Sequence, residues 1–267
     1  MSSEQSIFAT LRAGRRVWAV SALHGEAARL GALHQQIYPA FEPGDQLVYT
    51  GNYSGHGSLV RETIDELLLF RRAVLAIPGT ECEDIVFLRG AQEEMWQKLL
   101  QLQFAPNPVQ VLKWMVGQGI EPTITAYGAS VDEAIIAQRE GTLALTRWTT
   151  QLRQNVRAYD GHNALMSALR HAAFTEDGSL LFVHAGIDPH RPLSAQSDSF
   201  WWGGSGFSSI TEPYNGYRRV IRGFDRRREG LQETAYTVSL DAGAGFGGPL
   251  MAALFAPDGA ILGTFSA

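Results

Sequence analysis

The N-terminal part of the chain repeats one pattern three times: a short apolar run, a turn of small and polar residues, and a helical pattern. The apolar runs are residues 16–20, 46–50 and 85–89, and the helical patterns are residues 25–38, 59–72 and 92–102. Alternating strands and helices predict a layered α/β core. In such cores ligands bind where the strands end, so the turns after these strands are the first places to look for a site.

The remainder of the chain completes the predicted layout. Residues 107–173 have a mainly helical pattern, with Pro108 at a helix start, and we interpret residues 103–175 as a helical cap inserted into a single domain of residues 1–267. Further strands are predicted at 179–183, 219–222 and 237–241, and residues 250–255 and 260–265 are predicted to form a terminal hairpin. Ser58 is a predicted N-cap of the second helix.

Composition limits the classes of function. The formal net charge is -5 and the sequence pI is about 5.8, which gives no general attraction to nucleic acid or to anionic membranes. The basic residues between 218 and 228 are interpreted as a solvated strand end and turn. Cys82 is the single cysteine, so no disulfide can form within the chain. With no signal-peptide pattern in residues 1–16 and no membrane-spanning run, we expect a cytoplasmic protein.

Turns that carry glycine and histidine follow the predicted strands in a distinctive order. They are Ala22-Leu23-His24-Gly25, Gly51-Asn52-Tyr53 with Gly57, Arg89-Gly90-Ala91-Gln92-Glu93, Val183-His184-Ala185-Gly186, and the glycine-rich run from Asp241 to Gly248. A single histidine or glycine turn at a strand end is more often structural than functional. The joint order and spacing of these turns are more specific than any one of them.

In that order and spacing the chain resembles the phosphoprotein-phosphatase family of metallophosphoesterases. The resemblance is greatest to the bacterial branch, which holds serine/threonine phosphatases and symmetrical diadenosine tetraphosphatases, and all six motif positions fall between residues 21 and 248. It implies an α/β fold, a four-layer metallophosphoesterase-type β-sandwich flanked by helices with a helical cap insertion. It also implies a hydrolase that uses two divalent metals, Mn, Fe or Zn.

Most metal ligands of the family are replaced in this chain. The resemblance places the six ligand positions at Ala22, His24, Asn52, Ala91, His184 and Phe224. His24 and His184 keep the family's ligand type, and Asn52 puts a neutral amide where the family has a bridging aspartate. Two neighbouring divalent cations repel each other, so anionic ligands must offset their charge. No metal is therefore expected, and His24, Asn52 and His184 are the only candidate ligands of a residual site.

The catalytic positions that the resemblance implies are also altered. Gln92 stands where the family has its general-acid histidine, and an amide cannot give up and regain a proton near neutral pH. Gly55 replaces the aspartate that partners this histidine. His56 and Gly204 stand at the two phosphate-binding arginine positions. We therefore expect no intact catalytic residue.

Three hypotheses follow for the function. The first is a catalytically impaired pseudophosphatase, a binding or regulatory protein whose partner is a protein or a phosphorylated ligand. The alternative is an active phosphoprotein or dinucleoside polyphosphate hydrolase with a rearranged metal site, for which Glu26, Glu93, Asp188 and Asp225 are candidate replacement ligands. The second alternative is a structural subunit of a homo-oligomer, with the aromatic segment 200–207 as the contact surface. We favour the interpretation that this segment packs in the core.

Overall fold

The computed structural model describes residues 7–267, so the first six residues of the predicted domain lie outside the described part. Its strands are β1 Phe8–Leu11, β2 Val17–Val20, β3 Gln46–Tyr49, β4 Ile85–Phe87, β5 Ala172–Thr175, β6 Leu180–Val183, β7 Arg219–Arg222, β8 Gln232–Glu233, β9 Thr237–Ser239, β10 Met251–Phe255 and β11 Ile261–Ser266. Its α-helices are α1 Ala27–Ala40, α2 Val60–Leu75, α3 Ala91–Leu99, α4 Pro108–Gly117, α5 Glu121–Ala126, α6 Val131–Glu140, α7 Thr142–Arg157, α8 His162–Ser167 and α9 Asp198–Trp202.

The strands form two mixed sheets. One has the order β11-β10-β2-β3-β4, and the other has the order β1-β5-β6-β7-β9-β8. Strands β2, β3 and β4 are parallel to one another, as are β6, β7 and β9. Because parallel neighbours end at the same edge of a sheet, the loops after these strands are brought side by side.

Alternation along the strands explains the layers. In β2, Val17 and Ala19 face the core between the two sheets, whereas Trp18 and Val20 belong to the cluster that α1 and α2 cover. The sheets thus present one face to each other and one face outward. The outer face of the second sheet is covered by α9 and by residues between 187 and 217. The α/β fold class is confirmed, with two sheets flanked by helices.

The predicted helical region contains five helices, α4 to α8, and one apolar cluster joins α4 to α7 with residues of α2 and α3. It ends at Ser167, because residues 172–175, which we placed in the cap, form β5 through pairing with β1 and β6. The interpretation of this region as a cap inserted into a single domain stays a prediction. None of the helices described between residues 7 and 267 is long and apolar enough to cross a membrane.

Two local predictions are resolved by burial and hydrogen bonding. Ser58 is exposed and is not the N-cap of α2, because Leu59 takes that position without a side-chain hydrogen bond. In the aromatic segment 200–207, Phe200, Trp201 and Phe207 are buried in the outer core of the second sheet. Core packing therefore accounts for most of its aromatic area.

Candidate functional site

The loops at the carboxyl ends of the parallel strands meet at one end of the sandwich. They bring together all the predicted site positions except one: Ala22, His24, Asn52, Gly55, His56, Ala91, Gln92, His184 and Phe224. The His24 N–H donates to the Asn52 carbonyl at 2.6 Å, and the Phe224 N–H donates to the His184 carbonyl at 2.9 Å. Gly204 is exposed, and nothing lies within 4 Å of where its Cβ would be.

Close approach of backbones explains two of the glycines in these loops. A Cβ on Gly90 would lie 2.2 Å from the Asn52 nitrogen, and a Cβ on Gly57 would lie 2.4 Å from the His24 carbonyl oxygen. Only glycine allows contacts this short. The site is therefore built from loops packed directly against one another through their main chains.

Three site residues have left-handed backbone conformations. The φ angles of His24 and Asn52 are 53° and that of His56 is 43°. Such conformations cost a non-glycine residue on the order of 1 kcal/mol or more, and they concentrate at functional sites. Backbone hydrogen bonds hold His24 in place, because its N–H donates to Asn52 and its carbonyl accepts from Gly57.

The Asn52 side chain forms hydrogen bonds with two other loops. Its Oδ1 accepts from the Gln92 N–H at 2.9 Å, which points its Nδ2 toward His24 Nε2 at 3.3 Å. Because an amide nitrogen only donates, this Nε2 is an acceptor. Burial lowers the pKa of His24 well below its usual value, and the charges of His56, His184 and Arg228 lower it further. His24 is therefore neutral near pH 7.

His184 is completely buried and has a defined tautomer. Its Nδ1 lies 2.7 Å from the Thr50 carbonyl oxygen, which only accepts, so the ring carries its proton on Nδ1. Its Nε2 is buried and has no hydrogen-bond partner among the residues described. Burial lowers the pKa of His184 to about 4, although the bond to Thr50 raises it slightly.

Phe224 places an apolar ring where the resemblance expects a metal ligand. The ring stacks on His184 with a centroid separation of 5.1 Å and an interplanar angle of 7°. Its centroid also lies 6.0 Å from that of His24. The remaining ligand-type histidines thus share one aromatic neighbour, and their rings pack as part of an aromatic cluster.

Two residues that the sequence analysis gave no role in the site, Phe246 and Arg228, form the outer rim of the cluster. The Phe246 ring lies 4.2 Å from that of His56 and 5.3 Å from that of His24. The guanidinium carbon of Arg228 lies 3.3 Å from the Phe246 ring centroid, a cation–π contact. A large aromatic residue inside a run of glycines was the available signal for Phe246. Arg228 belongs to the basic stretch that we interpreted as a solvated turn; it is exposed, and its guanidinium also covers the Phe246 ring.

Gln92 and Gly55 fit each other and link the site to the helical region. A Cβ at Gly55 would lie 2.3 Å from the Gln92 side-chain carbonyl carbon, so the amide packs in the space that a larger residue at position 55 would fill. Gln92 Nε2 donates to the Gln118 carbonyl at 2.8 Å, and the Gly55 N–H donates to Thr123 Oγ1 at 3.0 Å. The two altered positions therefore form a structural contact.

Glu93 anchors the loop that carries Asn52. Its buried carboxylate accepts from the N–H groups of Asn52 and Tyr53 at 2.8 Å, of Gly90 at 2.9 Å, and of Ser54 at 3.3 Å, and also from Ser54 Oγ at 3.2 Å. Burial raises the pKa of Glu93, and the backbone donors offset part of this rise. Both carboxylate oxygens are occupied, so Glu93 has a structural role in this arrangement.

The other candidate replacement carboxylates have partners outside the cluster. Asp225 pairs with Arg222, and its backbone N–H donates to Asp241. Glu26 lies 3.7 Å from Arg29, and Asp188 lies 3.3 Å from Arg191, each three residues along the chain. We find no group of three or more His, Cys, Asp or Glu side chains between residues 7 and 267 that could hold a metal ion.

These residues do not fit a pair of divalent cations. The donors that remain are two imidazoles and an amide whose oxygen already accepts a hydrogen bond, and both oxygens of the neighbouring Glu93 carboxylate already accept from backbone N–H groups. Metal pairs of this type lie about 3.5–4 Å apart and need anionic ligands to offset their charge. Ala22 and Ala91 provide no donor atom.

Two helix-flanked sheets with a loop cluster at the parallel strand ends define a mixed α/β fold. No family model matches the chain, and no curated protein matches it in sequence. Among solved structures, it is similar to the crystal structure of a "putative diadenosine tetraphosphatase", with 22% identity, 97% of each chain covered and a TM-score of 0.55. It is also similar to a cold-active protein-tyrosine phosphatase of Shewanella sp., with 14% identity, coverage of 100% and 85% respectively, and a TM-score of 0.52.

The chain therefore shares the fold of these solved structures, in agreement with the metallophosphoesterase-type fold that the motif resemblance predicted. This agreement concerns the fold. The roles assigned to the individual site residues, and the expectation that no metal binds, stay predictions.

Proposed function

We propose that this protein is a catalytically impaired phosphoesterase, a pseudophosphatase that binds rather than cleaves. Its partner in this proposal is a protein or a phosphorylated ligand, and its place of action is the cytoplasm. The observation that carries the proposal is the chemistry of the loop cluster. Ala22, Asn52, Ala91 and Phe224 stand at the family's ligand positions, and the Asn52 oxygen is already bonded to the Gln92 N–H.

Electrostatics support the same conclusion. Transfer of a phosphoryl group requires positive charge or strong donors aimed at its oxygens, together with a proton donor for the leaving group. Burial keeps His24 and His184 neutral, and Gln92 donates its amide to the Gln118 carbonyl. The Arg228 guanidinium lies over the Phe246 ring. This arrangement stabilises a folded loop cluster more readily than a transition state.

The test is metal analysis of purified protein together with an assay on an aryl phosphate in added Mn²⁺. We expect substoichiometric metal and no turnover from the natural sequence. The matched control is a restored variant with Ala22→Asp, Asn52→Asp, Ala91→Asn and Phe224→His, which returns the family's ligand types to the same loops. If the natural sequence bound two metals per chain and showed multiple turnover, the proposal would be refuted.

An active hydrolase of phosphoproteins or dinucleoside polyphosphates, with a rearranged metal site, is the competing function. The specific observation in its favour is the buried His184 Nε2 without a partner, which is a ligand atom in a suitable place. Under this alternative, His24→Ala with His184→Ala abolishes both metal binding and turnover. Activity that persists unchanged in the double variant eliminates it, because the Asn52 amide is then the one candidate ligand left at the family's ligand positions.

A further inference from the structure

A groove lies on the helical region, outside the loop cluster, between α4 and α6. It has a volume of about 400 Å³ and is lined by Val109, Leu112, Lys113, Val116, Val131, Ile135, Gln138 and Arg139. On α4 the apolar members are spaced three and four residues apart, and on α6 Val131 and Ile135 are four apart. Both helices therefore turn an apolar stripe toward the groove.

The groove remains open to solvent although its walls are held together. Gln138 Nε2 on α6 donates to the Pro108 carbonyl at the start of α4 at 3.1 Å, and Leu112 is buried with 2% of its surface exposed. Val109 on the rim keeps 61% of its surface exposed. Concave apolar surface of this kind on a folded protein is typical of an interaction site.

The charges of the groove select the kind of partner. Lys113 on α4 and Arg139 on α6 supply one cation to each wall, both are exposed, and neither forms an ion pair within residues 7–267. The carboxylates on α6 are absent from the lining, and Glu133 is used in the helix cap at Ser130. In a chain with a net charge of -5, this is a local basic rim around an apolar floor.

The lengths of the two helices that form the groove indicate how long a partner helix can be. Helices α4 and α6 have 10 residues each and are about 15 Å long. An amphipathic helix of about three turns matches this length and places anchors at positions i, i+3 or i+4, and i+7. Acidic residues on both flanks of such a helix would meet Lys113 and Arg139.

We infer that the groove between α4 and α6 is a docking site for an acidic amphipathic helix of a partner protein. The inference deepens the proposed binding function by giving the partner's chemistry, and it rests on the groove rather than on the loss of catalysis. Apolar contacts with Val109, Val116 and Ile135 supply affinity. The two rim cations supply orientation and discrimination against basic helices.

The probe for the test is a fluorescein-labelled helical peptide of about 14 residues with leucines along one face and glutamates elsewhere, measured by fluorescence anisotropy with the full chain. One control peptide spreads the leucines around the helix, and another replaces glutamate by lysine. We expect the acidic amphipathic peptide to bind at least about tenfold more tightly than either control, and added salt to weaken this binding. Equal affinity for all three peptides overturns the inference.

Variants locate the binding on the groove. Lys113→Glu with Arg139→Glu is expected to reverse the preference toward the lysine peptide, and Val109→Asp is expected to abolish binding. Arg147→Glu, an exposed charge reversal on α7 outside the lining, is the matched control and should change affinity less than about twofold. If the Lys113 and Arg139 reversals leave the preference unchanged, the groove is not the site.

Two further measurements separate the possible outcomes. Light scattering that shows a dimer converted to monomer by Val109→Asp would mean that a second copy of the chain fills the groove, and the inference would be wrong. Metal content and aryl-phosphate turnover are measured on the same groove variants and are expected to match the natural sequence. Catalysis by the natural sequence with intact peptide discrimination overturns the pseudophosphatase proposal alone.

Discussion

Replacement of Glu93 by glutamine is the sharpest test of how the loop cluster is held. The carboxylate accepts from three backbone N–H groups at 2.8–2.9 Å and from Ser54 more weakly. A glutamine has one acceptor oxygen. If that oxygen stays with Tyr53 and Ser54, its NH₂ group faces the N–H groups of Asn52 and Gly90, and four hydrogen atoms with no acceptor meet in a buried space.

The magnitude follows from the donors that lose their acceptor. A buried donor without a partner costs about 1–3 kcal/mol, so Glu93→Gln, which leaves two donors without an acceptor, is expected to lower the free energy of unfolding by about 2–6 kcal/mol. Glu93→Ala leaves three well-placed donors without an acceptor and should cost about 3–9 kcal/mol. A loss of 1 kcal/mol lowers the melting temperature of a chain of this size by about 2–4 °C, so the glutamine variant should melt about 4–24 °C lower.

The assay is urea unfolding followed by circular dichroism, with the slope against urea compared between variants. Glu94→Gln is the matched control, because Glu94 pairs with Arg89 and Lys98 near the surface, 15% exposed, and such pairs contribute about 1 kcal/mol or less. A Glu93→Gln protein within about 0.5 kcal/mol of the natural one, at an unchanged slope, would refute the anchoring role.

Three further predictions concern the histidine cluster and the helix ends. The pKa of His184 is about 4 in the folded chain and has its ordinary value of 6.5 in the unfolded chain, so the unfolded chain takes up the proton first as the pH falls. The contribution of this group to stability is therefore present above pH 6.5 and decreases by about 3 kcal/mol as the pH falls toward 4. His184→Gln should make the decline of the free energy of unfolding between pH 6.5 and 4 shallower. This free energy is measured by urea unfolding at each pH, and an equally steep decline in the variant would contradict the lowered pKa of His184. Phe224→Ala should let water reach His184 and raise its pKa by about one unit or more in an NMR titration, whereas an unmoved titration would show that the stacked ring does not exclude water. Asn107→Ala should destabilise the protein by about 1 kcal/mol because its side chain caps α4, whereas exposed Ser58→Ala should change stability by less than about 0.5 kcal/mol, and equal losses would contradict the cap assignment.

The strands that were predicted correctly are those with strong local signals. Val17–Val20 and Leu180–Val183 are buried at every position, and buried strands of this kind are apolar without interruption. Strands β1 and β5 are as long as these, but each combines alanine and threonine with a single phenylalanine, and β8 is Gln232–Glu233, so none of the three was predicted. β5 exists because β1 pairs with it on one side and β6 on the other. Such pairing is not encoded within the segment itself.

The helix starts also divide into those that a local sequence signal sets and those that a tertiary contact sets. Asn107 followed by Pro108 is a local signal, and the Asn107 side chain does accept from the Gln110 N–H at 3.1 Å. Ser58 is an equally plausible cap in sequence, but the loop before α2 is held by the contact of Gly57 with His24, and the helix begins one residue later. A tertiary contact therefore overrode a correct local rule.

The sequence by itself determined the order of strand, turn and helix, and it determined that alanine, asparagine, alanine and phenylalanine stand at positions 22, 52, 91 and 224. These are properties of residue identity and local periodicity, and they sufficed for the fold and for the expectation of a weakened metal site. Only the tertiary structure decided what the remaining groups do. Asn52 bonds to Gln92 and Glu93 from 40 and 41 residues away, and Phe224 stacks on a histidine at position 184. Distant residues meet only after the sheets form, because hydrogen bonds and ring contacts act over a few ångströms, whatever the separation along the chain.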